Sequence, residues 1–192
     1  MIKRTSRRPD WVPNPTLASL PVISAQDHRA CLRNVASAVS IITAQHEQRQ
    51  AGLTATAVVS VTADPPRLAV FVNKDVAAAD VILQSGALCV NVLSSAHDEV
   101  AKAFAGMIDG VHGEARFRHG QWHTMVTSSP VLEGALVSFD CRVVNVHDES
   151  THHAFVCEVL ATTGCADERA LVYLNGAFRH LPMNLLHFSG ND

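Results

Sequence analysis

The chain has 192 residues, 47% of them hydrophobic and 17% charged, with a net charge of −3. That length suits one compact domain, the apolar fraction is too high for a disordered chain, and the acidic balance argues against a nucleic-acid partner, which would select a basic face. Apolar runs such as 68–72 fall far short of the ~20 residues a membrane helix needs, so the chain is expected to be soluble and to have no membrane partner.

Residues 1–22 read as an extended, Pro-rich N-terminal arm, with the main domain over 23–192. The arm carries the basic cluster Lys3, Arg4, Arg7 and Arg8, but no apolar region follows it as an export signal would require. Ser24 and Asp27 form a capping-box-like start, and Cys31, Val35 and Ala38 follow at helical spacing, predicting a helix over about 25–37. A strand over 39–44 comes next, then a polar turn over 45–50.

From Gly52 a second strand alternates. Leu53, Ala55, Ala57, Val59 and Val61 share one parity, and Thr54, Thr56, Ser60 and Thr62 share the other, broken only by Val58. Alternate strand residues face opposite sides, so one face is expected in a core and the other to show a row of hydroxyls, either binding a polar ligand or simply solvated. Pro65 and Pro66 end this strand. Further strands are predicted over 67–73, 87–93, 135–143, 153–162 and 171–174, with helices over 77–84 and 97–105. Residues 107–130 lack periodicity, as functional loops often do. Without a regular βαβ rhythm, the tally predicts a mostly β fold, a largely antiparallel barrel with peripheral helices.

Chemistry-bearing motifs are scarce. No GxGxxG, P-loop, GxSxG or HExxH occurs. The eleven histidines show no spacing that brings three or four ligands together, so no metal site is expected. Five cysteines without a CxxC fit reduced, buried thiols in a cytoplasmic protein better than a disulfide framework. An enzyme built this way would rely on a bound cofactor for the chemistry.

The run Gly52-Leu53-Thr54-Ala55-Thr56-Ala57-Val58-Val59-Ser60-Val61, followed by Asp64-Pro65-Pro66-Arg67-Leu68, resembles the short-chain NAD(P)H:flavin reductases, the reductase components of two-component flavin-dependent monooxygenases. Val70-Phe71-Val72-Asn73, Leu88-Cys89-Val90-Asn91-Val92-Leu93, Phe104-Ala105-Gly106, Arg116-Phe117, Gln121-Trp122, Pro130 to Leu136, Phe139-Asp140-Cys141, Thr151-His152 and Leu171-Val172-Tyr173 match in the same order. Together they cover about 27–181.

The resemblance implies a split, Greek-key-like β-barrel that works as a homodimer. It also implies hydride transfer from NADH or NADPH to FMN or FAD, with FMN favoured, and supply of reduced flavin to a separate oxygenase. A non-catalytic flavin-binding or flavin-sensing barrel is the alternative. By the same resemblance Thr54, Ala55, Thr56 and Ser60 lie along the flavin. Asn73 and Lys74 open a phosphate-contacting loop, Asn91 and Leu93 stand beside the ring, Phe104 is a further flavin-binding residue, and His152 stands by the flavin where the nicotinamide stacks. Two departures concern this site: the loop after Asn73 reads Lys74-Asp75-Val76-Ala77 where relatives carry Ser or Thr, and Ser150 replaces a glycine. A third, Arg179 for a histidine, lies near the chain's end.

Overall fold

The computed structural model describes residues 12–164 and 169–181; the basic cluster over 3–8 and Cys165 lie outside them. In chain order the elements are α1 (Pro15–Ala18), α2 (Ala25–Leu32), β1 (Ser37–Ala38), β2 (Ser40–His46), β3 (Arg49–Ala55), β4 (Val58–Ala63), β5 (Pro66–Asn73), α3 (Ala77–Ser85), β6 (Ala87–Val92), α4 (Asp98–Phe104), β7 (Trp122–His123), β8 (Val131–Leu132), β9 (Val137–Glu149), β10 (His152–Gly164), β11 (Leu171–Leu174) and β12 (Ala177–His180). The arm thus carries one turn of helix. Ser24 caps α2 as the sequence predicts, accepting from the Asp27 N–H at 3.1 Å. The helix stops at Leu32, short of the expected 37, because Ser37 and Ala38 pair with Tyr173 and Val172.

Seven strands form one sheet in the order β3-β2-β6-β9-β10-β5-β4, every neighbouring pair antiparallel. Its two edge strands, β3 and β4, are consecutive in the chain and joined only by Thr56 and Ala57. A flat sheet would hold those edges about 29 Å apart at ~4.8 Å per strand, whereas the link spans at most about 10 Å. The sheet therefore curls until its edges meet, which makes it a barrel. Two register shifts in the long β9–β10 hairpin, at Val156/Cys157 and Val159/Ala161, supply the bend.

This closure corrects the expectation of one continuous strand over 52–62. Leu53 and Ala55 pack against the barrel core, and so does Val58, so the inward phase slips by one residue across the link. Val59 and Val61, expected in a core, are 55% and 48% exposed.

The barrel interior holds Ile42, Val70, Val72, Leu88, Val90, Phe155 and Cys157, and α3 packs Val81 and Ile82 into the same cluster. A second cluster covers the outer face of β2 and β3: Val39, Ile41 and Leu93 meet Val100, Ala101 and Phe104 of α4. Residues 107–130, expected as a long loop, contain a 3-10 turn (Gly113–Arg118) and β7. Phe117 and Trp122 from this stretch form an aromatic trio with Phe104, the ring centroids 5.0–5.5 Å apart. The stretch is largely a lid on the second cluster.

Candidate functional site

One end of the barrel gathers three of the predicted segments. His152, the first residue of β10, lies directly opposite Asn73, the last of β5. The Phe71 N–H donates to Ala57 O at 3.0 Å, so the β3–β4 link ends beside the same strand terminus. His152 Nδ1 is 2.8 Å from the Thr151 hydroxyl, which fixes the ring. Parity separates the adjacent histidines. His153 pairs with the buried Val72 and stacks edge-on with Phe155 at 5.7 Å, while His152 takes the outward face with Asn73.

The turn before His152 is unusual in its backbone. Ser150 has φ +47°, in the left-handed region where glycine is favoured. Lys74 grips it twice: its N–H donates to Thr151 O at 3.0 Å and its Nζ donates to Ser150 O at 2.8 Å. Lys74 Nζ is also 3.6 Å from Asp148 Oδ1, which lies 2.7 Å from His153 Nδ1. Asn73 Oδ1 accepts from the Asp75 N–H at 2.9 Å, a local turn that leads into α3.

The hydroxyl row itself is divided, Thr56 alone of it belonging to the gathered link. Thr56 is exposed and lines a cavity of about 650 Å³ together with Arg29, Arg33 and Tyr173. Thr54 faces the same way, but its hydroxyl donates to Ala101 O of α4 at 2.8 Å. Ala55 packs inward. Ser60 lies on β4 opposite Leu68, four residues and about 13 Å of strand from Thr56.

Asn91, Leu93 and Phe104 are enclosed, at 0%, 0% and 2% exposure, so their side chains do not line an open site. Asn91 instead bonds across the outer cluster, donating to Ile41 O and Thr43 Oγ1 at 3.2 Å each and accepting from the Leu132 N–H at 2.8 Å and the Ser138 hydroxyl at 2.9 Å. The Phe104 ring lies against Gly52, where a Cβ would come within 2.7 Å of it.

A second cavity of about 420 Å³ opens beside the start of α3, lined by Arg49, Gly52, Val76, Ala77 and Arg116 among others. Val76 caps α3 without a side-chain hydrogen bond, so the first-turn N–H groups of a nine-residue helix have no side-chain partner there. Arg116 donates to Gly52 O at 3.3 Å. Two guanidinium groups and a positive helix end favour an anion here, opposed by two carboxylates of the same lining, Asp75 and Glu114, of which Glu114 accepts from the Gln50 N–H at 3.2 Å. Sequence reasoning did not assign these arginines a role. Arg49 sits in what reads as a plain polar turn, and Arg116 is marked only by the matching Arg116-Phe117 segment, which carried no assigned role.

Thiol chemistry is absent from this site among the described residues. Burial pushes the Cys89 and Cys157 thiols well above their ordinary range and Cys141 up to about 12; all three lie buried in the sheet.

Residues 32–182 match the flavin reductase like domain family, and the chain belongs to that family. It is 38% identical over 162 residues to an FMN reductase (NADH) RutF of Ancylobacter novellus, covering 84% of this chain and 88% of that one. To an FMN reductase (NADH) RutF of Stutzerimonas stutzeri it is 41% identical over 163 residues, covering 85% and 91%. Among solved structures, BorF, the flavin reductase component of a bacterial two-component tryptophan halogenase, superimposes with a TM-score of 0.75 at 29% identity, covering 83% of this chain and 99% of BorF.

Proposed function

We propose that the protein is an NADH-dependent flavin reductase that takes FMN in preference to FAD and passes reduced flavin to a separate oxygenase. The observation that carries this reading is the convergence of the Thr56–Ala57 link, the Asn73–Lys74 loop and His152 at one barrel end, in a chain of the flavin reductase family. The residues present suit the flavin. Thr56 offers an exposed hydroxyl, and the uncapped start of α3 with Arg49 and Arg116 suits a phosphate. A flavin held there would supply the hydride acceptor for a reduced nicotinamide. His152, braced by Thr151, packs against the nicotinamide and limits its motion, since small misplacements of reacting atoms are costly in rate.

A homodimer completes the site. Val59 (55% exposed) and Phe71 (37%) lie on the outward sheet face that continues to His152, with Val61 (48%) and Leu160 (39%) beside them on β4 and β10. An apolar patch of this kind suits burial against a second copy. The free state of the four described cysteines supports a reducing, cytoplasmic setting.

Anaerobic stopped-flow with NADH or NADPH against FMN or FAD tests the reading. The NADH–FMN pair is expected to react fastest, and His152→Ala to slow reduction or raise the KM for NADH with little change in flavin affinity, while His153→Ala does much less. Tight flavin retention without NADH oxidation would instead assign the protein to flavin binding or sensing.

A further inference from the structure

We propose that Lys74 is a positioning residue for His152, acting through the left-handed Ser150 turn rather than as a ligand to phosphate. The inference rests on the reductase reading above only for its kinetic readout. Ser150 holds φ +47°, a conformation costly for a residue with a Cβ, so other contacts must hold it there.

The β9–β10 hairpin, closed where Glu149 pairs with His152, itself calls for a positive φ in its two-residue loop, and one residue across the sheet adds to that hold. Lys74 donates from its backbone N–H to Thr151 O at 3.0 Å and from Nζ to Ser150 O at 2.8 Å. The ammonium also lies 3.6 Å from Asp148 Oδ1. Its charge is therefore directed at the β9–β10 turn. A charge-assisted bond to a carbonyl in this turn is stronger than a neutral one, and the held turn carries Thr151, whose hydroxyl lies 2.8 Å from His152 Nδ1. The order of dependence is Lys74, Ser150 carbonyl, Thr151, then the His152 ring. Glycine at 150 would adopt the same φ without steric cost and would make the lysine's grip largely dispensable.

A double-mutant cycle tests this, using Lys74→Met, Ser150→Gly and the pair in the full chain. Lys74→Met is expected to slow hydride transfer at saturating FMN and NADH by ~5–10-fold while the FMN Kd moves less than ~2-fold. It should also shift the His152 ring resonances in NMR spectra without flavin. Adding Ser150→Gly should restore most of the rate and return the resonances, a strongly non-additive result. A rise in FMN Kd with an unchanged saturated rate would make Lys74 a phosphate ligand and overturn the proposal. So would additive effects, or a lowered Tm with unchanged kcat, KM and His152 resonances. If the wild-type protein does not reduce flavin, the reductase reading falls, and the NMR cycle still decides the role of Lys74.

Discussion

Asn91 has no exposed surface, and its side chain donates to three main-chain or hydroxyl oxygens and accepts from three donors. A buried amide so engaged stabilises by satisfying groups that would otherwise be desolvated without partners. Asn91→Ala strands the Leu132 N–H and the Ser138 hydroxyl, and is expected to cost at least ~2 kcal/mol in denaturant unfolding. A second polar cluster lies on the outward face. Glu158 sits between Arg67 and Arg142 on adjacent strands and binds each through one carboxylate oxygen, with contacts of 2.7–3.2 Å. Hydrogen bonds from Arg67, then Arg142, hold its carboxyl below the ordinary value of 4.5. A depressed folded pKa adds stability that is fully present above the unfolded value and is lost as pH falls through the folded one. Wild type should therefore exceed Glu158→Gln in stability at pH 7, and the gap should close below pH 4.5; a gap that persists in acid would mean that packing, not charge, sets it.

At the scale of elements, β3 splits its threonines between two tasks. Thr54 bonds to Ala101 O and ties β3 to α4, whereas Thr56, two residues on, is exposed at the cavity with Arg29 and Arg33. Replacing each by Val keeps strand shape and removes the hydroxyl. Thr54→Val is expected to lower unfolding stability by ~0.5–1.5 kcal/mol with little effect on flavin affinity. Thr56→Val should do the reverse, weakening FMN binding by a similar amount. Paired titrations of flavin fluorescence and chemical denaturation separate the two, and equal losses of flavin affinity would place both hydroxyls on the ligand.

For the whole molecule, barrel closure decides which apolar residues remain outside. Val59 stands on the outward face because β4 enters the sheet one residue out of phase with β3, and Phe71 shares that face because it alternates along β5 with the buried Val70 and Val72. In a homodimer that face is buried, and stable interfaces of this kind cover roughly 800 Å² per partner. Val59→Lys with Phe71→Asp is expected to convert the proposed dimer to monomer in light scattering at micromolar concentration and to lower reductase activity, the proposed site lying at the edge of the same face. A monomeric wild type with full activity would remove the dimer from the mechanism.

Much was determined locally, and so was legible in the sequence. The Ser24 cap, the α3 and α4 spans to within two residues, the β5 and β6 strands and the opposite facing of His152 and His153 all follow from short-range periodicity and capping, which depend on neighbours in the chain. The motif series also carried the family. The break at Thr56–Ala57 was hidden because period-two alternation runs through it almost unbroken; the single exception, Val58, marks the phase change. Only tertiary closure decided that β3 and β4 occupy opposite edges, since a two-residue link imposes curling on seven strands. Burial of Asn91, Leu93 and Phe104 was likewise decided by α4 and the 113–132 stretch folding over the outer face of β2, β3 and β6. Motif matching identifies residues near a site but cannot tell a side chain that lines it from one that holds up the wall behind it. Lys74 and Ser150 are the clearest instance: 76 residues apart in the chain, they meet only when β5 pairs with β10.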